Sequence, residues 1–427
     1  MLAAIKSSWA LFVGLGMLML GSGLQGSLIG IRAGAENFPT EVTGLVMSSY
    51  FVGFLFGAVI TPKVVGQVGH VRAFAALAST ASTAALVHAV FIDPWVWGAM
   101  RLLTGFCFAG IYIVAESWLN DRATNETRGS MLSVYMVVLL GGMSAGQFLL
   151  NLADTNSFVL FVLASVLVSM ALVPISITAM AAPDFTAPEP LGLRALYRIS
   201  PLGVVGSLGT GMANAALFSM AAVYAGAAGL SVAQIAIFVS VNIFGGMCFQ
   251  WPIGRLSDHY DRRRVLTAVT FGAALAALLA ATVAGGEVVA LYAMMFLLGG
   301  MSFPMYSLCL AHTNDYLKPK QMVSASGTLM LVNGAGAIFG PVAVSLLMGE
   351  MGTNGFFASV GAVHAAIGVF ALYRMLRRAP LPLEEQGASV PVASSVSAAT
   401  ATLPVDALRD QMDRDLAALA GGPLRRR

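Results

Sequence analysis

The chain has 427 residues, of which 58% are hydrophobic and only 10% are charged, whereas soluble domains carry roughly 25% charged residues. A soluble protein of this length could not cover its surface with so little charge, so a soluble enzyme or binding domain is excluded. The net charge of +3 comes from basic residues spread over short segments and not from a basic face, which argues against nucleic-acid binding.

Long apolar segments recur along most of the chain, and a helix needs about 20 such residues to cross roughly 30 Å of hydrocarbon. We therefore predict an all-α membrane protein with twelve transmembrane helices. In chain order the predicted helices cover residues 9–31, 44–65, 73–92, 96–118, 129–152, 157–179, 201–226, 232–254, 264–284, 288–313, 322–348 and 355–376. The first segment is as long as a full span and lacks a small-residue exit, so no cleavable signal is expected.

The basic residues are distributed asymmetrically about these segments. When the segments are threaded alternately through a bilayer, all of the 23 lysines and arginines except Arg32 and Arg101 fall on one side or in its tails. Lysine and arginine accumulate in cytoplasmic loops. The sequence therefore predicts a bacterial inner-membrane (plasma-membrane) protein with both termini in the cytoplasm.

The chain divides into two halves of similar sequence. We expect a first six-helix bundle over residues 1–180, a proline-bearing cytoplasmic linker over 181–200, a second bundle over 201–378 and a cytoplasmic tail over 379–427. The tail is expected to be mostly disordered, with a short amphipathic helix near its end. A shift of 193 or 194 residues aligns several equivalent positions, which are Gly53/Gly246, Gly105/Gly299, Tyr112/Tyr306, Asp121/Asp315, Gly142/Gly336 and Gly146/Gly340. Parallel repeats of this kind are typical of transporters with a central binding site.

Two motifs carry a family resemblance. The loop after the eighth segment reads Gly254-Arg-Leu-Ser-Asp258-His-Tyr-Asp261-Arg262-Arg263-Arg264, and the fourth segment contains Arg101-Leu-Leu-Thr-Gly105. These runs resemble the signature loop and the R-x-x-x-G motif of the major facilitator superfamily, although Asp261 replaces the usual second glycine. The matching loop of the first half has Gly66 where the superfamily has an aspartate, which puts latching by that loop in doubt.

A narrower resemblance points to one branch of that superfamily. Ala115-Glu116-Ser117, Arg128-Gly129 and the run from Gln250 to Asp258 are similar to the YcaD-like branch. The resemblance implies an inner-membrane transporter with a small-molecule substrate and does not identify that substrate.

The resemblance also implies a cytoplasmic gate near the signature loop. In such a gate the aspartate accepts hydrogen bonds at a helix N-terminus, and the arginines pair with acids of the opposite half. We expect the gate residues to be Asp258, Arg255, Arg262, Glu116 and Arg128. Glu116 is the one carboxylate expected inside a span. It could latch against the cytoplasmic cations, carry a proton, or be an interfacial acid without a special role.

Polar residues within the apolar segments are candidates for the substrate cavity. An intramembrane charge is costly and indicates function, but Arg101 could also extend its side chain to the headgroups. The amides could instead form interhelical hydrogen bonds, and Tyr112 could equally pack. The cavity candidates are Gln25, Asn214, Asn242, Arg101, Asn333 and Tyr112. The lone histidines His88, His312 and His364 are interpreted as packing residues.

The sequence contains no phosphate-binding loop, no metal-ligand cluster and no catalytic triad, so we expect neither enzymatic activity nor a cofactor. The favoured function is secondary transport of a neutral, weakly acidic or amphiphilic solute by alternating access. The driving force would be a gradient, with protons as the favoured coupling ion, or the substrate gradient itself. Two alternatives remain open: an uncoupled facilitator, and a non-transporting membrane sensor or scaffold that acts through its tail.

Overall fold

The computed structural model describes residues 8–122, 128–177 and 191–377, and every regular element in these ranges is helical. The prediction of twelve membrane spans is confirmed, since twelve helices are long and apolar enough to cross a bilayer. We call them span 1 to span 12. Their bounds are Trp9–Ala35, Thr40–Val68, His70–Val90, Pro94–Leu119, Met131–Leu152, Val159–Ser176, Pro201–Ser219, Val232–His259, Arg262–Val283, Val288–Asn314, Ser324–Met351 and Asn354–Arg377.

Several spans extend beyond these bounds or contain a break. The helix of span 4 continues to Arg122, that of span 5 begins at Arg128, and that of span 11 begins at Pro319. Span 7 is followed by a short helix, Ala221–Ala227. Spans 6 and 10 each break where a proline follows, at Pro174 and Pro304, because proline lacks an N–H and its ring clashes with the carbonyl four residues earlier.

Local sequence explains where the spans begin. Ser231 and Gln234 form a capping box at the start of span 8, which satisfies backbone N–H groups that have no partner within the helix. Asp261 caps span 9 by accepting a hydrogen bond from the backbone N–H of Arg263. Gly69 joins spans 2 and 3 at φ +84°, a conformation that residues with a Cβ avoid.

Glycines allow the spans within each half to pack at backbone distance. Gly53 of span 2 lies against the carbonyl of Leu102 in span 4, and Gly245 of span 8 lies in the same way against Phe296 in span 10. Leu102 and Phe296 are 194 residues apart, but Gly53 and Gly245 are 192 apart. Contact geometry thus pairs Gly53 with Gly245, and the predicted pairing with Gly246 is wrong by one position.

The same register holds between spans 1 and 5 and between spans 7 and 11. Gly146 packs against the carbonyl of Leu20, and its equivalent Gly340 packs against that of Met212. The two halves are therefore pseudo-symmetric six-helix bundles, as the repeat predicts. The proposed boundaries of the linker and tail, and the amphipathic helix of the tail, lie wholly or partly outside the described residues.

The twelve spans run alternately between two ends of the molecule. We call the end that carries residues 191–200, Gly69 and residues 315–318 the linker end, and the opposite end the far end. The halves meet chiefly through span 2 against span 11, span 5 against span 8, and span 1 against the segment after span 7. The predicted orientation would make the linker end cytoplasmic.

Candidate functional site

A pocket lies where the two halves meet, about midway along the spans, and its empty space, including open solvent, is about 410 Å³. Its wall from the first half is formed by Phe51 and Phe54 of span 2. Spans 7 and 11 supply the rest of the wall, which comprises Gly211, Asn214, Ala215, Met330, Asn333, Gly334 and Ala337.

Two of the six predicted cavity residues, Asn214 and Asn333, line this pocket. Asn333 donates a hydrogen bond from Nδ2 to the carbonyl of Ser207 at 3.0 Å. Asn214 accepts a hydrogen bond at Oδ1 from the hydroxyl of Ser302 at 2.8 Å. Both amides are held in place by neighbouring spans, so the pocket presents hydrogen-bonding groups in fixed positions.

The other amide candidates and Tyr112 lie elsewhere. Asn242 is fully buried between spans 8 and 10, where it packs against Gly299. Tyr112 belongs to the core of the first half and donates a hydrogen bond to the sulfur of Met19 at 3.4 Å. Gln25 is buried in span 1, and its Nε2 has no hydrogen-bond partner among the described residues. Sequence reasoning could not separate these residues because polar residues in a span face partner helices as readily as cavities.

Arg101 is buried within the protein and not extended to the surface. Only 6% of it is exposed, and its guanidinium carbon lies 4.4 Å from the centroid of the Tyr50 ring. A cation above an aromatic face is attracted by the ring quadrupole. The interaction joins spans 2 and 4 of the first half one residue away from Phe51, so Arg101 contacts the helix that forms the pocket wall.

Among the side chains that the structure describes, two of the five gate candidates, Asp258 and Arg262, contact each other. Arg262 donates to Asp258 at 3.2 Å and to Asp315 at 2.7 Å, and all three residues belong to the second half. Arg255 lies over the ring of Trp251 at 5.1 Å, and the side chain of Arg128 lies outside the described part of the chain. The start of span 9 is capped by Asp261, which accepts a hydrogen bond from the backbone N–H of Arg263.

Glu116 lies inside the first half. Its side chain is fully buried in span 4 and accepts a hydrogen bond from the hydroxyl of Tyr135 in span 5 at 2.7 Å. The next residue, Ser117, is 2.9 Å from Nε2 of His70 in span 3. Three spans thus contribute polar groups near the linker end of the first bundle, an arrangement in which Tyr135 was not anticipated from the sequence.

Sequence reasoning also missed a polar chain behind the pocket. The hydroxyl of Ser302 in span 10 lies 3.0 Å from Nε2 of His364 in span 12, and Nδ1 of His364 donates to the carbonyl of Val360 at 2.8 Å. His364 is a buried histidine with hydrogen-bond partners on both ring nitrogens, so the expectation that it has no partner is wrong. No sequence pattern joins Asn214, Ser302 and His364, because they lie on three separate spans.

The halves are closed against each other toward the far end. The hydroxyl of Ser48 in span 2 donates to the carbonyl of Ile338 in span 11, and Ser240 in span 8 donates to the carbonyl of Ser144 in span 5 at 3.0 Å. Near the tip of the far end, Gly44 packs against Ser345. At the linker end, the two ion pairs of Arg262 that the structure describes lie within the second half.

The profile of the Major Facilitator Superfamily matches residues 11–308 and 204–411, and together these ranges cover most of the chain. The chain belongs to the Major Facilitator Superfamily. Twelve apolar spans in two bundles agree with that membership, and the chain is a multi-pass membrane protein.

Several uncharacterised transporters of the superfamily are similar to the chain. One from Enterobacter sp. strain 638, Ent638_1421, is 28% identical over 376 residues, which are 87% of this chain and 97% of the relative. YcaD of Escherichia fergusonii is 26% identical over 371 residues, covering 86% of this chain and 95% of YcaD. The predicted resemblance to the YcaD-like branch is therefore confirmed.

Solved structures of other transporters share the fold. The nucleoside transporter NupG has a TM-score of 0.71 at 14% identity, covering 87% of this chain and 98% of NupG. A bacterial homologue of the human lysosomal transporter Spinster, in an inward-facing and occupied conformation, has a TM-score of 0.68 at 13% identity, covering 88% of this chain and 97% of that protein. At this level of identity the likeness concerns the fold alone.

Proposed function

We propose that the chain is a secondary transporter that moves a small solute across the bacterial inner membrane by rocking its two halves about the pocket. The observation that carries this proposal is the position of the pocket between the halves, with inter-half hydrogen bonds from Ser48 and Ser240 on its far side. Opening that side while closing the linker end would expose the same pocket alternately to the two compartments.

The proposed orientation places the linker end in the cytoplasm, so the described conformation would be inward-facing. The basic loops at that end support this orientation. The pocket lining contains no ionisable side chain among its described residues, which favours an uncharged solute over a strong cation or anion. Proton coupling is part of the proposal, and the uncoupled facilitator remains its alternative.

Alternating access can be tested with a single reporter cysteine in a background without Cys107, Cys248 and Cys309. Ala337→Cys lines the pocket and should react with a membrane-impermeant maleimide in both inverted and right-side-out vesicles. Cross-linking Gly44→Cys to Ser345→Cys, which are in contact at the far end, should abolish labelling from the far side and keep labelling from the linker side. Labelling from the far side that is unchanged by the cross-link would contradict the rocking mechanism.

The gate residues give a second test of the same mechanism. If Asp258 helps to close the linker end in the opposite conformation, Asp258→Asn should shift the population toward the inward-facing state, because it removes a contact that stabilises the closed linker end. A contact of about 1–2 kcal/mol corresponds to roughly a 5- to 30-fold change in the ratio of alkylation rates at Ala337→Cys from the two sides. Gly66→Ala, at the equivalent point of the first half, has no carboxylate to lose and is the matched control. Equal effects of the two substitutions would show that Asp258 is not a gate residue.

A further inference from the structure

A short helix at the linker end carries exposed apolar and exposed basic residues on adjacent faces. We call it the linker helix; it covers Leu193–Ile199 and precedes span 7. Leu193 and Tyr197 are 53% and 47% exposed, and they share one face because residues four apart lie one helical turn from each other. Arg194 and Arg198 are exposed on the neighbouring face. An apolar face beside a basic face is typical of helices that lie in the headgroup region of a membrane.

The remaining face of the linker helix holds it on the second half. Leu196 is fully buried in an apolar cluster that includes Leu329 of span 11. Just before the helix, the backbone N–H of Leu191 donates to the carbonyl of Ser324 at 3.2 Å, and the hydroxyl of Thr328 donates to the carbonyl of Leu191 at 2.5 Å. These contacts with span 11 determine which faces of the linker helix point away from the protein.

The basic residues at this surface are not neutralised by described acids. Neither Arg194 nor Arg198 has an ion pair within the described part of the chain. Ser200, which follows the helix, lines a cleft together with Arg374 of span 12, so a third arginine without a described ion pair lies near the end of the helix. Arg263 lines the same cleft and is paired with the aspartate that caps span 9. The excess of positive charge favours an anionic occupant.

The charges of the first half argue against that half as the occupant. Its linker end carries the exposed residues Lys63 and Arg72. Glu116 is the only acid there whose side chain the structure describes, and it is fully buried. Docking of the linker helix on this surface would bring like charges together, which is unfavourable. An anionic phospholipid instead supplies negative charge for the basic face and acyl chains for the apolar face.

We propose that the linker helix is a binding surface for anionic phospholipid in the leaflet at the linker end. Leu193 and Tyr197 lie at the boundary of the acyl chains, and Arg194 and Arg198 contact the headgroup phosphates. This interaction is independent of the solute that the protein transports.

The attachment to span 11 links the bound lipid to the pocket. Ser324 and Thr328, which bond to Leu191, are followed on the same span by the pocket residues Met330 and Asn333. A lipid that binds the linker helix in its described position stabilises the conformation in which span 11 has its described position. On the basis of the alternating access proposed above, anionic lipid should therefore favour the described conformation, which is closed at the far end.

Fluorescence quenching in nanodiscs tests where the linker helix lies. The full chain, without Cys107, Cys248 and Cys309, carries a bimane at either Leu193→Cys or Ala195→Cys, two exposed positions on opposite sides of the helix. A phospholipid with a nitroxide near the top of its acyl chain should quench the first, and iodide in the water should quench the second. Quenching of the bimane at Leu193→Cys by iodide alone would place the helix in water. Quenching by neither agent would mean that protein covers this face, and either result would overturn the proposal.

The preference for anionic lipid is measured at Leu193→Cys with nitroxide-labelled phosphatidylglycerol and phosphatidylcholine. Each arginine near an anionic surface contributes about a fivefold preference, so Arg194→Gln/Arg198→Gln should lower the preference for phosphatidylglycerol by up to about 25-fold. Lys63→Gln/Arg72→Gln is the matched control, since it removes the same charge from the same end of the first half, and it should leave the preference unchanged. No loss in the first double variant, or equal losses in both, would overturn the proposal.

The effect on the pocket is measured by maleimide labelling of Ala337→Cys from the linker side. Replacing part of the phosphatidylcholine of the vesicles by phosphatidylglycerol should speed this labelling, and Arg194→Gln/Arg198→Gln should abolish the response. Lipid preference without any change in labelling would support the lipid surface and contradict its link to span 11. Labelling from one side only in both lipids would contradict alternating access, whereas the quenching result would still decide whether the linker helix binds lipid.

Discussion

Arg262 and Asp315 form a buried ion pair that joins spans 9 and 10 at the linker end. Their side chains are 2% and 3% exposed, and Nη1 of Arg262 lies 2.7 Å from Oδ1 of Asp315. The second acid of the cluster, Asp258, is 30% exposed and lies 3.2 Å from Nη2. A buried charge that loses its partner is strongly destabilising, whereas an exposed pair contributes little.

We therefore expect the two aspartates to differ in their effect on stability. Asp315→Asn should lower the free energy of unfolding by about 3 kcal/mol, because it removes the buried acid of a buried ion pair. Asp258→Asn should lower it by less than about 1 kcal/mol. Denaturation of the purified protein in detergent, followed by tryptophan fluorescence, measures both. Similar losses in the two variants would mean that burial of the pair is not what stabilises this end.

Asp261 gives a prediction about acid stability. Burial alone would raise the pKa of Asp261, but hydrogen bonds from the side chain and backbone of Arg263, with the charges of Arg263 and Arg264, lower it. A carboxylate whose pKa is depressed in the folded state stabilises the protein above its unfolded pKa of about 3.9 and loses that contribution as the pH falls through the folded value. Asp261→Asn should keep the helix cap but lower the melting temperature at pH 6 more than at pH 3. An equal loss at both pH values would contradict this role.

The close contact of spans 1 and 5 depends on Gly146. A Cβ at this position would meet the carbonyl of Leu20, whereas a Cβ on Gly141 in the same helix would have nothing within 4 Å. Gly146→Ala should destabilise the protein by about 1–3 kcal/mol through overpacking. Gly141→Ala should be neutral or slightly stabilising, because alanine favours helix over glycine. The comparison of their unfolding midpoints is decisive, and a reversed order would contradict the described packing.

The sequence was sufficient for the architecture because membrane spans leave a strong local signal. The length of a span, about twenty apolar residues, and the asymmetric distribution of basic residues between the loops are set by the bilayer and not by tertiary contacts. All twelve spans could therefore be predicted. The position of a polar residue around its helix leaves no such signal. Asn214 and Asn242 look alike in sequence, but one lines the pocket and the other packs against Gly299.

Side-chain pairs between distant spans were also beyond sequence reasoning. We expect Arg262 to pair with acids of the other half from the sequence. The acids with which it pairs among the described residues are Asp258 and Asp315, both of its own half. The repeat had marked Asp315 as the equivalent of Asp121 without indicating what it contacts. Ser302 and His364 could not be joined to Asn214 because hydrogen bonding across three helices depends on their packing register.

The orientation of the protein in the membrane can be measured directly. In a cysteine-free background, Gly34→Cys and Gly286→Cys lie exposed at the far end, and Gln67→Cys and Lys318→Cys lie exposed at the linker end. If the linker end is cytoplasmic, an impermeant maleimide should label the first two from outside intact cells and the last two only after the membrane is permeabilised. The opposite pattern would reverse the proposed orientation and make the described conformation outward-facing.

Glu116 is the candidate proton carrier that the sequence indicates. It is fully buried and bonded to Tyr135, but it is not part of the pocket lining. If Glu116 carries the coupled proton, Glu116→Gln should abolish accumulation of a transported solute against its gradient and leave counterflow exchange intact, because exchange requires no net proton movement. If Glu116 acts only as a structural or gating acid, both activities should fall together.

Tyr135→Phe is the companion variant, since it removes the hydrogen bond and keeps the carboxyl group. If Glu116 is a proton carrier, this variant should still accumulate solute, with a shifted pH profile. Gradient-driven uptake by Glu116→Gln with an unchanged pH profile would exclude the proton role of Glu116.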